Sequence, residues 1–358
     1  MAECRVKIGV AVVRFGAVAC LAAAWAASAP AHAETPEQVQ QRAKLVLGVL
    51  PAEAPSPSNP ITPAKIDLGR RLFYETRLSI NQKLSCNSCH ELTTYGVDNE
   101  VTSIGHGGQR GARNSPTVYN AAFEFAEFWD GRAADVEAQA KGPVLNPAEM
   151  GMPSADYVVR VLKTIPGYAP LFAVAFPGES DPITYENFAK AIGAFERRLT
   201  TPSRVDEFLG GRLDALTPAE VAGLEKFMEV GCPTCHMTAT VGGQMFQKLG
   251  LVNPYETKDL GRYEVTKKDT DKYFFKVPSL RNVDKTGPYF HDGSVKSLDE
   301  AIRLMAWHQL GKKLEPADVQ SIATFLRALT GTPDASYIAK PELLPAGPDT
   351  PKAAAPPS

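Results

Sequence analysis

The sequence predicts a mainly α-helical protein that contains two related domains. Two pairs of similar segments support this fold class: residues 62–73 resemble residues 217–228, and residues 128–139 resemble residues 290–301. The first pair begins with Thr-Pro-Ala and continues with apolar residues at helical spacing, and the second pair shares Phe-x-Asp-Gly before a helix-like stretch. We find no convincing run of alternating apolar and polar residues, which is the pattern that indicates a strand, although residues 271–280 could contain one short strand. Such a repeat indicates a duplicated helical unit.

Both Thr-Pro-Ala segments have the features of a helix start. Thr62 and Thr217 can each accept a hydrogen bond from the first helical turn, and proline suits the first helical position. Glu220 lies three residues after Thr217, which completes a capping box. Nearer the end of the chain, residues 315–329 place apolar side chains along one face of a helix. We therefore expect these segments to be helices that face a core.

Each predicted unit also contains the sequence Cys-x-x-Cys-His, at residues 86–90 and 232–236. Two cysteines at this spacing can begin a zinc site, form a redox disulfide or hold a cluster. A histidine directly after them is typical of c-type haem attachment, in which both sulfurs bond the haem and the histidine, His90 or His236, binds the iron. Two copies favour two covalently bound haem c groups over zinc or disulfide chemistry. The attachment residues would be Cys86, Cys89, Cys232 and Cys235.

The chain divides into four predicted segments. Residues 1–33 combine a basic start, an apolar run and a final Ala-His-Ala, which is typical of a secretory signal peptide, with a retained membrane anchor as the alternative. Residues 34–203 and 204–332 form the predicted N-terminal and C-terminal cytochrome c-like domains, each wrapping one haem. Residues 333–358 are rich in proline and are expected to cross the surface before becoming partly disordered. Because c-type haem is attached outside the cytoplasm, we expect a periplasmic protein.

The composition narrows the possible functions. The formal net charge is −2, and a mildly acidic chain gives no support for nucleic-acid binding. All cysteines after residue 33 belong to the two haem motifs, so no disulfide framework is expected.

The second axial position of each iron decides between electron transfer and catalysis. His106 lies in a loop with glycines at positions 105, 107, 108 and 111. This loop would let a ligand leave the iron, whereas the alternative is an ordinary surface histidine. Met305 lies on a helix predicted at residues 297–310, where it is either an iron ligand that raises the potential or a core residue.

In their order along the chain, these motifs resemble those of the bacterial dihaem cytochrome c peroxidases. The resemblance covers nearly all residues after 33 and includes GHGGQRGARNSPTVYNA, FWDGRAADVEAQAKGPVLNPAEMG and VPSLRN…GPYFHDGSV…M, together with the two haem motifs. That family reduces hydrogen peroxide to water with electrons from a small cytochrome c or a cupredoxin. The resemblance also implies a homodimer.

The resemblance implies roles for the two candidate iron ligands and for a peroxide pocket. His106 would be the displaceable ligand of the N-terminal, low-potential haem, where peroxide reacts, and Met305 would bind the C-terminal, high-potential haem, which receives electrons. Gln139, Glu149 and Phe128 would line the peroxide pocket. A carboxyl group such as that of Glu149 can move a proton between the two peroxide oxygens if burial raises its pKa. Taken alone, Glu149 would be a solvated turn residue.

Further roles follow from the resemblance at the junction of the two domains. Trp129 would lie between the haems as an electron route, and His291 would lie near the C-terminal haem. Asn114, with the backbone carbonyls of Thr286 and Pro288, would hold a calcium ion, and such oxygen ligands suit calcium.

Two other functions remain open. One is a dihaem electron carrier in which both irons keep six ligands, and the glycine-rich His106 loop and the Gln139/Glu149 pair argue against it. The other is the dihaem oxygenase branch that matures protein-derived quinone cofactors. Those enzymes carry a tyrosine at the position of Met305, so this departure favours the peroxidase.

Overall fold

The computed structural model of the protein describes residues 34–354, together with Lys7 and Gly9. The predicted signal peptide at residues 1–33 lies outside these described residues except at those two positions. Residues from Thr35 onward group into one compact unit, which contains both haem motifs. The fold below is that of this unit.

The described residues are mainly helical, as predicted. The α-helices are α1 (Pro36–Ala43), α2 (Pro63–Phe73), α3 (Cys86–Cys89), α4 (Val136–Leu145), α5 (Ala155–Lys163), α6 (Tyr168–Ala175), α7 (Tyr185–Glu196), α8 (Arg204–Gly210), α9 (Pro218–Val230), α10 (Tyr263–Thr266), α11 (Leu298–Leu310) and α12 (Pro316–Ala328). Two short antiparallel strands, β1 (Phe246–Lys248) and β2 (Phe274–Lys276), pair with Phe246 opposite Lys276. The second strand lies where the sequence allowed one.

The predicted helix starts form at α2 and α9. Thr62 Oγ1 accepts a hydrogen bond from the Lys65 N–H at 3.2 Å. Thr217 Oγ1 accepts one from the Glu220 N–H at 3.3 Å, and Glu220 Oε2 accepts one from the Thr217 N–H at 2.8 Å. The reciprocal bonds of the second helix are the predicted capping box.

Two separate groups of buried apolar side chains form the cores. The first lies mainly among α2, α4, α5, α6 and α7, and the second among α8, α9, α11 and α12. In the first core a Cβ at Gly69 of α2 would overlap the carbonyl oxygen of Ala191 on α7. In the second, a Cβ at Gly223 of α9 would overlap the Ser321 carbonyl oxygen on α12. A glycine therefore allows the closest helix contact in each core.

The first helix does not follow the predicted division of the chain. Val39 and Ala43 of α1 are buried in the second core, although they precede the first haem motif. Gln40 Nε2 also donates a hydrogen bond to the Phe208 carbonyl of α8 at 2.6 Å. Because α1 presents apolar residues that the second core covers, the first helix belongs in space to the second half. The boundary at residues 203 and 204 stays a prediction.

The proline-rich tail returns from the second core to the first. Ile338 is buried in the first core, and its carbonyl accepts a hydrogen bond from Tyr74 Oη at 2.6 Å. The Tyr337 ring stacks on Phe195 with 5.1 Å between centroids, and its hydroxyl donates to the Phe195 carbonyl at 2.8 Å. The tail therefore ties the end of the chain to the N-terminal half. Residues 355–358 lie outside the described part of the chain.

The far end of the tail lies along the loop that contains Ile80. Gln82 Nε2 donates a hydrogen bond to the Pro351 carbonyl at 2.7 Å, and the Ala354 N–H donates to the Ile80 carbonyl at 2.9 Å. The Ile80 N–H in turn donates to the Met150 carbonyl at 2.9 Å. One short loop thus separates the tail from the turn that carries Glu149.

The two Phe-x-Asp-Gly segments adopt the same backbone conformation. Phe128 and Phe290 have φ values of 66° and 69°, and Gly131 and Gly293 have φ values of 65° and 64°. Positive φ is uncommon for an aromatic residue. In each copy an antiparallel bridge joins the residue before the phenylalanine to the fifth residue after it. The shared conformation supports a duplicated unit.

Within residues 34–354, no single helix is long and apolar enough to cross a membrane. Helices α5 and α6 would reach that length and composition only as a pair bent by 111°. Their apolar residues Val158, Val161 and Phe172 lie in the first core.

Two candidate haem sites

The second Cys-x-x-Cys-His sequence opens into an apolar cavity of about 240 Å³. Gly231 ends α9 with a φ of 100°, which only glycine adopts easily, and a short helical turn follows at Cys232–Thr234. Cys232, Cys235 and His236 line the cavity together with Met305 of α11. The structure therefore brings the second motif and the candidate methionine ligand to one site.

His236 has the properties of an iron ligand. Burial lowers the pKa of His236 to about 4, while the nearby carbonyls of Val241 and Pro278 act in the opposite direction. Its Nδ1 is buried and has no hydrogen-bond partner of good geometry. The imidazole is neutral at physiological pH, and a neutral imidazole offers a lone pair to a metal.

The first motif forms the single turn of α3, and His90 follows directly. The His90 N–H donates to the Cys86 carbonyl at 3.0 Å, and its Nδ1 lies 3.3 Å from the Gly96 carbonyl oxygen. A carbonyl at Nδ1 orients the ring and leaves Nε2 free for iron. Burial lowers the pKa of His90, so this imidazole is also neutral.

The four motif cysteines are free thiols. Burial raises the pKa of Cys86 and Cys235, raises that of Cys89 to about 11, and raises that of Cys232 to about 12. Zinc binds the thiolate rather than the thiol. Within residues 34–354, no three His, Cys, Asp or Glu side chains converge on a possible metal position. The zinc and disulfide alternatives thus have no support in this part of the chain, and both motifs fit covalent haem.

His106 lies on a glycine-flanked turn that packs against the turn carrying Glu149. The His106 N–H donates to the Glu149 carbonyl at 2.6 Å. A Cβ at Gly105 would overlap the Ala148 carbonyl oxygen, and Gly108 has a φ of 78°. The buried His106 Nδ1 has no hydrogen-bond partner. The histidine therefore has a close backbone attachment, an unsatisfied ring nitrogen and a permissive turn.

Glu149 is half-buried and carries an oriented carboxyl group. Its Oε1 accepts a hydrogen bond from Asn146 Nδ2 at 2.7 Å. Burial raises the pKa of Glu149, although the Arg132 charge and the Asn146 hydrogen bond oppose that shift. The Arg132 guanidinium lies 3.4 Å from the Phe128 ring centroid. This neighbourhood combines a carboxyl group of raised proton affinity with an aromatic wall.

Gln139 lies on the helix that faces Phe128. A Cβ at Gly142 of α4 would lie 3.5 Å from Phe128 Cζ, and Gln139 precedes Gly142 by three residues, which places both on one helix face. Gln139 is half-buried. Among the described residues, no hydrogen bond joins Gln139 to Glu149.

Trp129 belongs to the first Phe-x-Asp-Gly turn but lines the cavity of the second motif. Its Nε1 donates a hydrogen bond to the Asn114 carbonyl at 2.9 Å, and its own carbonyl accepts one from the Lys276 N–H at 2.8 Å. The ring lies edge-on to His291, with 6.4 Å between centroids. His291 is buried and lines the same cavity. The roles that the resemblance implies for these two aromatic residues beside the haems stay predictions.

The three residues proposed for calcium lie along this cavity. Asn114 Nδ2 donates to the carbonyls of Glu100 and Val101 at 2.9 and 3.3 Å. In the described part of the chain, no hydrogen bond occupies Asn114 Oδ1 or the carbonyls of Thr286 and Pro288. Oxygens of this kind are suitable calcium ligands.

A buried charged cluster at the same junction was not predicted from the sequence. Lys276 Nζ forms ion pairs with Glu124 and Glu127, and each of the three side chains is less than a tenth exposed. The only available signal was a lysine within the apolar stretch YFFKVP.

Comparison with known proteins shows the family to which this chain belongs. The family model of the di-haem cytochrome c peroxidases matches residues 63–214. The cytochrome c551 peroxidase of Pseudomonas aeruginosa is 45% identical over 298 residues, covering 81% of this chain and 85% of that protein. The cytochrome c551 peroxidase of Nitrosomonas europaea is 42% identical over 312 residues, covering 85% and 92%.

A solved structure confirms the fold. It is a MauG-like protein associated with microbial copper homeostasis, with a TM-score of 0.72 and 30% identity over 82% of this chain and 96% of that one. The long alignments with the two peroxidases include both haem motifs and the segments between them. The chain therefore belongs to the di-haem cytochrome c peroxidase family, a family of oxidoreductases that carry two haem c groups.

Proposed function

We propose that this dihaem peroxidase reacts with hydrogen peroxide at the N-terminal site and receives electrons at the C-terminal site from a small cytochrome c or a cupredoxin. The observation that carries the proposal is the contrast between the two candidate ligands: Met305 lies on a helix that lines an apolar cavity, and His106 lies on a glycine turn beside Glu149. When bound, haem supplies the iron that accepts, stores and passes electrons. Reduction of one peroxide to two waters consumes two electrons and two protons.

At the N-terminal site, Glu149 would transfer a proton from one peroxide oxygen to the other. Burial raises the pKa of Glu149 and so increases the proton affinity of the carboxylate that accepts this proton, and the hydrogen bond from Asn146 orients the carboxyl group. Phe128 and Gln139 would shape the pocket, because Phe128 lies against the helix that carries Gln139.

His106 would act as a gate over the same site. Gly107 and Gly108, with φ values of 67° and 78°, let the turn change conformation at a lower cost than other residues would. In a closed state the His106 ring would cover the haem position, and movement of the turn would open the site to peroxide. The hydrogen bond from His106 to the Glu149 carbonyl couples the gate to the pocket turn.

At the C-terminal site, Met305 would hold the iron that accepts electrons. A thioether ligand and an apolar surrounding both favour the reduced metal and raise its potential. Trp129 would link the two sites, since it belongs to the first half and lines the cavity of the second.

Other parts of the proposal rest on the family resemblance and the sequence. Asn114, Thr286 and Pro288 would hold calcium at the junction, where their free oxygens line the cavity. The protein would work as a homodimer in the periplasm, to which the sequence of residues 1–33 would direct it.

Two alternatives give different expectations. A dihaem electron carrier would keep both irons closed and would show no peroxide turnover. An oxygenase of the quinone-cofactor type is the second alternative, and the 30% identity to a MauG-like protein fits it only in part. The cytochrome c551 peroxidases are more similar, at 45% and 42%. The family resemblance also implies that the oxygenases carry a tyrosine at the position of Met305.

Stopped-flow peroxide turnover, measured on the oxidised and the half-reduced protein, distinguishes these functions. We expect turnover in the half-reduced protein with a reduced small cytochrome or cupredoxin as donor. Absence of turnover in both states would support the electron carrier and reject the peroxidase. Turnover in both states would retain the peroxidase and reject the gate.

A further inference from the structure

A buried lysine joins the two halves of the molecule beside Trp129. Lys276 is the last residue of β2, and its side chain is 5% exposed. Its ammonium forms an ion pair with Glu124, and Glu127 Oε2 lies 3.6 Å from the same nitrogen. Both carboxylates belong to the N-terminal half, whereas the lysine belongs to the C-terminal half.

Stability alone does not explain this cluster. Burying charged groups carries a large desolvation penalty, and apolar residues of similar volume are often equally stable. The surrounding sequence, Phe-Phe-Lys-Val-Pro, is otherwise apolar, so a methionine would suit the site without that penalty. Burial raises the pKa of Glu127, and the Lys276 charge opposes that shift.

The geometry of the cluster instead constrains Trp129. The Lys276 N–H donates to the Trp129 carbonyl at 2.8 Å, while its ammonium holds Glu127, two residues earlier. The Glu127 N–H donates to the Ala133 carbonyl at 2.8 Å, which closes the same turn. Lys276 therefore contacts the Trp129 turn through its main chain and its side chain.

The lysine is itself firmly attached to the second half. Lys276 pairs with Phe246 of β1, and the preceding residue, Phe275, packs on His291 with 4.4 Å between ring centroids. Glu124 crosses closely over the second half as well, because a Cβ at Gly243 would lie 2.6 Å from its Cγ. Lys276, Glu124 and Trp129 all line the cavity of the second haem motif.

We propose that Lys276 is a positioning residue that fixes Trp129 between the two haem sites. This role rests on the proposed function, in which Trp129 carries electrons from the C-terminal haem to the N-terminal haem. Lys276 does not react. It holds the Trp129 turn of one half at a set distance from the cavity wall of the other, so that each electron crosses the same gap.

The test compares Lys276→Met with Lys276→Arg in the dihaem protein. A photoreductant delivers one electron to the N-terminal haem, and the rate of its transfer to the C-terminal haem, which has the higher potential in the proposed function, is followed by absorbance. We expect Lys276→Met to slow this transfer severalfold, because the rate of electron transfer falls steeply as the gap between donor and acceptor widens. Lys276→Arg keeps the charge and should recover most of the rate.

Three further measurements separate positioning from general damage. Haem content, both haem potentials and peroxide binding at the N-terminal site should match the wild type in Lys276→Met. Hydrogen exchange measured by mass spectrometry should increase in residues 124–133. The peptide around Trp307, an exposed tryptophan on α11, is the control and should not change.

Unchanged transfer between the haems in Lys276→Met would overturn the proposal. If that variant fails to load haem, Glu124→Gln removes the carboxylate that the ammonium contacts most closely while keeping its shape, and an unchanged transfer rate there would overturn the proposal equally. Because the rate is measured between the haems without peroxide, a failure of the peroxidase proposal would appear separately, as a lack of turnover in the wild type.

Discussion

The two haem sites begin with the same motif but present their candidate second ligands on different backbones. Met305 lies within α11, a helix of 13 residues whose buried face belongs to the second core. His106 lies on a turn of three residues in which the two following glycines have positive φ. A helical residue is held by the hydrogen bonds of several neighbours, whereas a glycine turn can rearrange locally. The proposed difference between a fixed and a releasable ligand would therefore reside in the backbone.

The polarity of the surroundings also differs between the two sites. The second site is a largely apolar cavity around Cys232, His236 and Met305. Beside the first candidate gate lie Glu149, with a raised pKa, and the charged Arg132. An apolar site suits electron transfer, while a site with an oriented carboxyl group suits proton transfer.

We expect the largest effect when the attachment residues of one haem site are removed. Cys232→Ala with Cys235→Ala should remove one of the two covalent haems completely, because both thioether bonds of that site are lost. Mass spectrometry of the exported wild-type protein should show two haems and a chain that begins at Glu34. The matched pair Cys86→Ala with Cys89→Ala should remove the other haem. Retention of both haems in either variant would contradict the assignment.

Next in size is the loss of proton transfer at the first site. Glu149→Gln keeps the shape of the side chain but removes the acid, so peroxide turnover should fall by about 10²- to 10⁴-fold. Haem content and both potentials should be nearly preserved. Glu256→Gln, at an exposed position, is the control and should keep full turnover. Normal turnover in Glu149→Gln would assign the proton transfer to another group.

Opening the gate permanently sharpens the contrast between the backbones. We expect the fully oxidised His106→Gly protein to turn over peroxide at least about 10-fold faster than the oxidised wild type, because no side chain then covers the iron. The stopped-flow measurement described above detects the change. Equal rates for variant and wild type would mean that the native site is already open when oxidised.

Replacing the candidate methionine ligand with a histidine should have a smaller effect, which is confined to the redox potential of one haem. Met305→His should lower the potential of the C-terminal haem, because imidazole favours ferric iron more than a thioether does. A redox titration followed at both haems should show the N-terminal potential unchanged. If neither potential changes, Met305 is a core residue rather than a ligand.

The smallest expected effect concerns acid stability in the second half. Burial opposes ionisation of Asp206, but the ion pair with Arg281 outweighs it and holds the pKa of Asp206 below its ordinary value. The wild type should therefore lose stability as the pH falls from the ordinary aspartate pKa through the lowered one. Asp206→Asn should lose less over that interval, as measured by urea unfolding at several pH values. A parallel loss in both proteins would contradict this linkage.

Local features of the sequence were sufficient to predict the parts of the fold that depend on contacts between residues close together in the chain. The caps at Thr62 and Thr217 and the capping box with Glu220 form as predicted, because each involves residues within one helical turn. The same holds for the two haem motifs, whose residues lie on one short turn each.

Contacts between distant residues were not predictable in the same way. The ion cluster of Lys276 with Glu124 and Glu127 joins positions about 150 residues apart, and no spacing rule connects them. The attachment of α1 to the second core depends on which apolar surface remains uncovered after both halves fold. Family resemblance supplied the roles of Asn114 and Trp129, since neither residue type indicates such a role by itself.

The path of the proline-rich tail has a practical consequence for anyone who expresses this protein. The Ala354 N–H binds the Ile80 carbonyl, and the Ile80 N–H binds the carbonyl of Met150, the residue after Glu149. An affinity tag fused after Ser358 would begin only a few residues beyond this contact. A purification tag at that end would therefore be a structural change beside the turn that carries Glu149, and kinetic constants should be measured on protein from which it has been cleaved.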